Sequence, residues 1–173
     1  DELDAYKARL RALRDIPHAV KAMLEQLPSN SHPMDVLRTG CSTLGCLEPE
    51  TSITDYDATR AIIDRMLASF GSMLAYWYHY SHHGKRIELV TDDDSIGGHF
   101  LRLLHGREPS ELHVRAMHTS LNLYAEPEFN ASTFTSRVVA STMSTCYSSI
   151  SAAIGALYGS LHGGANEKVQ DMV

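Results

Sequence analysis

The stretch YGSLHGGANE, residues 158–167, sets a histidine directly before two glycines and a restarting helical pattern. Glycines carry no side chain, so the backbone there can turn tightly and a ligand can approach it closely. The positive end of a helix dipole favours an uncharged ring. A neutral imidazole so placed donates a hydrogen bond to a carbonyl oxygen that is gaining negative charge, a device with precedent in another enzyme. His162 is therefore the candidate catalytic residue. The plainer alternative is a histidine that caps or packs at a loop-to-helix junction.

Other groups invite chemistry with less force. His79, His82 and His83 in HYSHH put two imidazoles on one helical face, which zinc would tolerate sterically. No cysteine or carboxylate stands at ligand spacing, so the expectation is no metal and ordinary histidines at a helix end. Asp92, Asp93 and Asp94 lack the interleaved spacing of a calcium loop and read as a solvated loop with a helix cap. Ser132, Thr133 and Ser136 are not tied by spacing to any base or acid, which leaves a serine hydrolase without support. Asn130 reads first as a helix cap and second as a substrate contact. Arg137 reads as a salt-bridge partner ahead of a site cation. The three cysteines, Cys41, Cys46 and Cys146, are odd in number and show no C-x-x-C pair. Free, reduced thiols in a cytoplasmic protein are expected.

These residues need a scaffold, and 173 residues suffice for one domain with a sizeable core. A net charge of −6 with no clustered basic surface excludes a nucleic-acid binder. The one dense basic run, KARLRALR, alternates with leucine and alanine as a solvated helix face does. No run approaches the ~20 apolar residues of a membrane span, and the acidic start has no secretory-signal core. Helical spacing runs throughout. Leu3, Tyr6, Leu10 and Leu13 share a face between Asp1 and Arg14. Pro17 suits the first turn of a second helix that ends before Pro28. Ser31 or His32 caps a third, with Pro33 in its first turn. Thr54 opens a long helix whose stripe of Ile62, Ile63, Met66, Leu67, Phe70, Met73, Leu74 and Trp77 predicts burial, ending near Gly84. Gly106 stops a short helix and Ser110 caps the next. From Asn130 onward, serine, threonine, alanine and glycine recur at helical spacing, and such helices persist only when packed closely. No strand alternation, repeat or linker stands out, so the expected fold is all-α.

Several motifs together resemble the citrate synthase family: LHGGANE preceded by SAAIGALYGS, with SHPMDVLRTGCSTLGC, YWYHYSH, DDDSIGGHFLRLLHG and LYAEPEFNASTFTSRVVAST in the family's order. YWYHYSH and EFNASTFTSRV are most similar to the family's bacterial 2-methylcitrate synthase branch. The resemblance implies a multi-helical large domain, incomplete here, with residues 1–173 a single helical region inside a longer chain. It implies an acyltransferase that condenses propionyl-CoA with oxaloacetate, or acetyl-CoA in the plain citrate synthase alternative. The CoA thioester would be a co-substrate, with no permanently bound cofactor and no metal. It assigns to His162 the hydrogen bond to the thioester oxygen. It also implies a homodimer whose small-residue helices meet at the two-fold axis.

Two departures from the family follow. Pro127 stands where the family carries a histidine that binds oxaloacetate, and proline offers no donor on side chain or nitrogen. Its ring also biases Glu126 away from helical geometry. The family's second catalytic histidine, its aspartate base and its substrate arginines have no counterpart in these residues, so the 173-residue piece is expected to be inactive alone. The rival reading from a different class is a non-catalytic helical module kept for dimerisation.

Overall fold

The structure, a computed structural model, describes residues 1–125 and 129–165. Those residues form eight helices and no strand: α1 Glu2–Ala12, α2 His18–Leu24, α3 Pro33–Leu47, α4 Tyr56–His83, α5 Ile96–His105, α6 Glu111–Ala125, α7 Ala131–Ser141 and α8 Cys146–Leu157. The all-α expectation is met. The chain falls into two compact units, Asp1–Ser31 with Ile63–Pro127 and His32–Ile62 with Glu128–Val173.

In the first unit, local chemistry sets the helix ends. The Asp1 carboxylate accepts the Asp4 N–H at 2.9 Å and starts α1. Pro17 lies one residue earlier than expected: its ψ of 147° is extended, so it caps α2 rather than entering its first turn. The Ser95 hydroxyl, not an aspartate, caps α5 through the Gly98 N–H at 2.9 Å. Gly84 and Gly106 end α4 and α5 at φ +63°, where a side chain would be strained. Ser110 caps α6, accepting from the His113 N–H.

The buried face of α4 differs from the apolar stripe. Met66, Met73 and Trp77 are buried as expected, but Ile63 and Leu67 are exposed, while Asp64, Ser69 and Ser72 are buried in their stead. The cause is polar. Asp64 accepts the Tyr6 hydroxyl at 2.9 Å and pairs with Arg9 at 2.5 Å, both from α1. Arg65 donates to the Leu13 and Asp15 carbonyls at 2.7 and 2.6 Å. These ties turn the acidic side of α4 inward. They also hold α1 with Leu10 as its one buried residue, and Leu3 stays exposed. An ion pair broken on one side would leave a buried charge, a change costing about 3–5 kcal/mol.

In the second unit, α3 and α8 pack antiparallel. The Cys41 thiol meets the Tyr147 carbonyl, Ser42 Oγ lies 3.3 Å from Ser151 Oγ, and Arg38 borders Gly155. A Cβ on Gly45 would stand 2.8 Å from the Tyr147 ring, so glycine is what lets the two helices close. The small residues of α8 are thus used in part against α3 of the same chain. A four-residue turn with Met143 at φ +61° joins α7 to α8. Neither α6 nor α7 has a buried residue: Leu112, Leu123, Phe134 and Val138 are all exposed.

Candidate active site

The turn that follows α8 presents His162. Its N–H donates to the Gly159 carbonyl at 2.9 Å, and the Gly164 N–H reaches the same oxygen at 3.2 Å. The two glycines are required for a reason other than positive φ, which neither shows. A Cβ at Gly163 would land on the Leu157 carbonyl oxygen, and one at Gly164 would lie 2.9 Å from the Tyr158 carbonyl oxygen. The chain folds back onto the last carbonyls of α8, and only hydrogen fits in the gap. Helical geometry resumes at Gly164 and Ala165, and the Ala165 N–H bonds the His162 carbonyl at 3.1 Å. Glu167, expected in the first turn of a helix here, lies outside the described residues.

The His162 ring is half-buried, and its Nε2 lies 2.8 Å from Ser132 Oγ. This corrects the reading of Ser132 as connected to no base: 30 residues apart, the two meet because α7 and α8 are neighbours joined by a short turn. Sequence spacing held no signal for the pair. No carboxylate among the described residues completes a triad with the pair. Ser132 sits in the first turn of α7 because Asn130 caps that helix, accepting the Thr133 N–H at 2.7 Å. The side-chain oxygen of Asn130 is thus already engaged at the position expected to touch substrate. Pro127, the other expected substrate position, lies outside the described residues. Arg137 is exposed and forms no ion pair with a described residue.

The remaining candidates resolve into scaffold. His79 Nε2 bonds the Leu103 carbonyl at 2.8 Å, and the His82 ring stacks on Tyr78 with Nδ1 near the Tyr78 carbonyl at 3.1 Å. Among the described residues no group of three or more His, Cys, Asp or Glu could hold a metal, and no helix is long and apolar enough to cross a membrane. All three cysteines are free. Burial first, then Glu50, pushes the Cys146 thiol up to about 11, so it is a poor nucleophile.

The acidic loop is not merely solvated. Asp93 Oδ2 accepts from Arg102 at 2.6 Å and from the Thr91 hydroxyl at 2.6 Å. Burial pushes this carboxyl up, and the bonds to Arg102 and Thr91 outweigh it, leaving Asp93 below its ordinary value. Arg14, buried, donates to the Thr91 and Asp93 carbonyls at 2.8 and 2.6 Å. His99, 1% exposed, completes the network and was not singled out in the sequence. Its Nδ1 lies 3.0 Å from Thr91 Oγ1 and its Nε2 3.0 Å from Ser72 Oγ. Because Thr91 gives its one proton to Asp93, Nδ1 must be the donor and Nε2 the acceptor. Burial, then the Arg14 charge, lowers the His99 pKa to about 4, which keeps the ring neutral.

Comparison with known proteins bears on both regions. A family model described as citrate synthase, C-terminal domain, matches residues 1–173. The chain is 55% identical over 172 residues to a 2-methylcitrate synthase from Shewanella oneidensis, covering 99% of this chain and 45% of that protein. It is 40% identical over 173 residues to a citrate synthase from Deinococcus radiodurans, covering 100% of this chain and 46% of that one. The chain thus spans somewhat under half the length of these relatives. Among solved structures, citrate synthase from Thermoplasma acidophilum, in a ternary complex with carboxymethyl coenzyme A and oxaloacetate, matches with a TM-score of 0.84 at 30% identity. That match covers 95% of this chain and 42% of the solved one.

Proposed function

The chain belongs to the citrate synthase family, and from that premise we propose that the full-length protein condenses propionyl-CoA with oxaloacetate to 2-methylcitrate and CoA. A base, which the family supplies as an aspartate, takes a proton from the carbon beside the thioester. The enol carbon then attacks the keto carbon of oxaloacetate, forming the new C–C bond. Water finally cleaves the thioester and frees the CoA thiol.

His162 carries the first step. In this reading the Ser132 hydroxyl, whose oxygen lies 2.8 Å from Nε2, donates to that nitrogen, so that the ring proton sits on Nδ1 and Nδ1–H serves the thioester oxygen as the enol forms. One donor preorganised for charge that appears only in the transition state contributes about 3–4 kcal/mol.

The observation that carries the propionyl reading is the 55% identity to a 2-methylcitrate synthase, against 40% to the citrate synthase from Deinococcus. The second reading, acetyl-CoA as substrate, is supported by that 40% and by 42% identity to a citrate synthase from Mycolicibacterium smegmatis. A pocket discriminates one methylene by only about 1–3 kcal/mol. CoA release by the full-length protein, with oxaloacetate and each acyl-CoA in turn, is expected to favour propionyl-CoA at least tenfold in kcat/KM. A preference for acetyl-CoA would select the second reading.

We take the working form to be a cytoplasmic homodimer, a reading supported by the free thiols and by the exposed apolar residues of α6 and α7. The third reading, a non-catalytic dimerisation module, rests on Pro127. Calorimetry with oxaloacetate tests it: no binding and no turnover would establish the module. A large gain in turnover on Pro127→His would identify the proline as a lesion in an enzyme.

A further inference from the structure

The antiparallel packing of α3 and α8 runs through Gly45 and Cys41 against Tyr147, Ser42 against Ser151, and Arg38 beside Gly155. It ends on one more pair. The imidazole of His32 lies against the ring of Tyr158, with centroids 4.1 Å apart and planes tilted by 32°. His32 is also the cap of α3: its Nδ1 accepts the Met34 N–H at 3.1 Å, so the ring proton resides on Nε2. Tyr158 is the C-cap residue of α8 and the first residue of the turn that presents His162. Its carbonyl oxygen is the one that Gly164 covers too closely to admit a Cβ, and the next carbonyl, of Gly159, accepts the N–H groups of both His162 and Gly164.

We infer that His32 is a positioning residue for His162: by clamping the Tyr158 ring to the start of α3, it fixes the turn from which the catalytic imidazole projects. The inference rests on the function proposed above for His162, but the geometry it requires can be read without turnover. Two hydrogen bonds on the Gly159 carbonyl and two glycine contacts make the turn rigid within itself. Its orientation relative to Ser132 on α7 still depends on where α8 ends. The stacked pair anchors that end, and small misplacements of a donor lower rates by up to about a hundredfold.

His32 has two jobs, and two substitutions separate them. Asparagine can still cap α3 but cannot stack; phenylalanine stacks but cannot cap. In the full-length protein, His32→Asn is expected to lower kcat about tenfold with Tm and the KM for oxaloacetate held. His32→Phe is expected to lose about 2–4 °C in Tm while recovering kcat to within about threefold. Tyr158→Leu should match His32→Asn, and the double variant should be no slower than either single one. A structural role alone would give the reverse order, with rates following Tm, and would overturn the inference.

The second readout is the histidine ring nitrogens observed by 15N NMR on the same proteins. His162 should hold one tautomer in the wild type and in His32→Phe, and average between tautomers in His32→Asn. Unchanged His162 signals in His32→Asn would overturn the inference whatever the activity. If the wild type turns over no acyl-CoA while its His162 tautomer still responds to His32→Asn, the positioning stands and the proposed reaction fails.

Discussion

Two histidines, one in each unit, are held in contrasting ways. His99 is sealed, bonded at both ring nitrogens, with a pKa lowered to about 4. His162 is half-buried and, among the described residues, bonded only at Nε2. A ring with both nitrogens engaged has no valence left for a substrate, so its neutrality serves the fold. A ring tied at one nitrogen is oriented and still has a donor to offer. Strong perturbation of a histidine is therefore a poor guide to chemistry in this chain; an uncommitted nitrogen on an oriented ring is the better one.

The sharpest way to break this contrast is to remove each ring. His162→Ala in the full-length protein should lower kcat about 10²–10³-fold, with Tm within a degree or two, read as CoA release with oxaloacetate. His99→Leu should do the opposite. It strands the Ser72 hydroxyl and a bond of Thr91 in the interior, at about 2–4 kcal/mol of stability, while the folded fraction keeps most of its rate. Denaturant unfolding with parallel kinetics tests both. Equal losses of rate in the two variants would dissolve the distinction.

What the sequence made legible divides along a similar line. The roles of Pro33, Gly84, Gly106, Ser110 and Asn130 were readable because a cap or a left-handed stop involves neighbours within four residues. The inward face of α4 was not, since periodicity counts apolar residues and cannot foresee Tyr6 and Arg9 arriving from α1 to neutralise Asp64. His162 stood out through its two glycines, and the structure adds a reason for them that local pattern does not encode, the carbonyls of Leu157 and Tyr158 that lie where a Cβ would fall. Its partner Ser132 was hidden: a pairing across 30 residues depends on how α7 and α8 pack, which no local pattern encodes.

The buried histidine also sets an acid limit. Its folded pKa of about 4 lies below the ordinary 6.5, so the unfolded chain binds the proton first. Its contribution is full above about pH 6.5 and drains away as pH falls towards 4, by about 3 kcal/mol. Glu25 acts lower. Hydrogen bonds from Arg86 and then Tyr76 bring it from 4.5 to about 2, so its share is lost between those values. Unfolding midpoints at pH 7.0, 5.5 and 4.5 should fall in the wild type and lie nearly flat in His99→Leu. An equal slope in both would show that other groups govern the acid transition.

The smallest of these effects belongs to Ser132→Ala, and it sharpens the contrast most. If the Ser132 hydroxyl fixes which nitrogen of His162 carries the proton, losing it removes no donor to the substrate and only lets the ring exchange tautomers and rotate. The cost is then about tenfold in kcat, close to 1.4 kcal/mol, well short of the loss from deleting the ring. Stability should barely move, because Ser132 and His162 are both half-buried and each can turn to water. Combined with His162→Ala, the serine change should add nothing, since it acts only through that ring. An additive loss in the double variant would mean that Ser132 meets the substrate itself, and the two histidines would then differ by their neighbours' chemistry rather than by how many nitrogens are held.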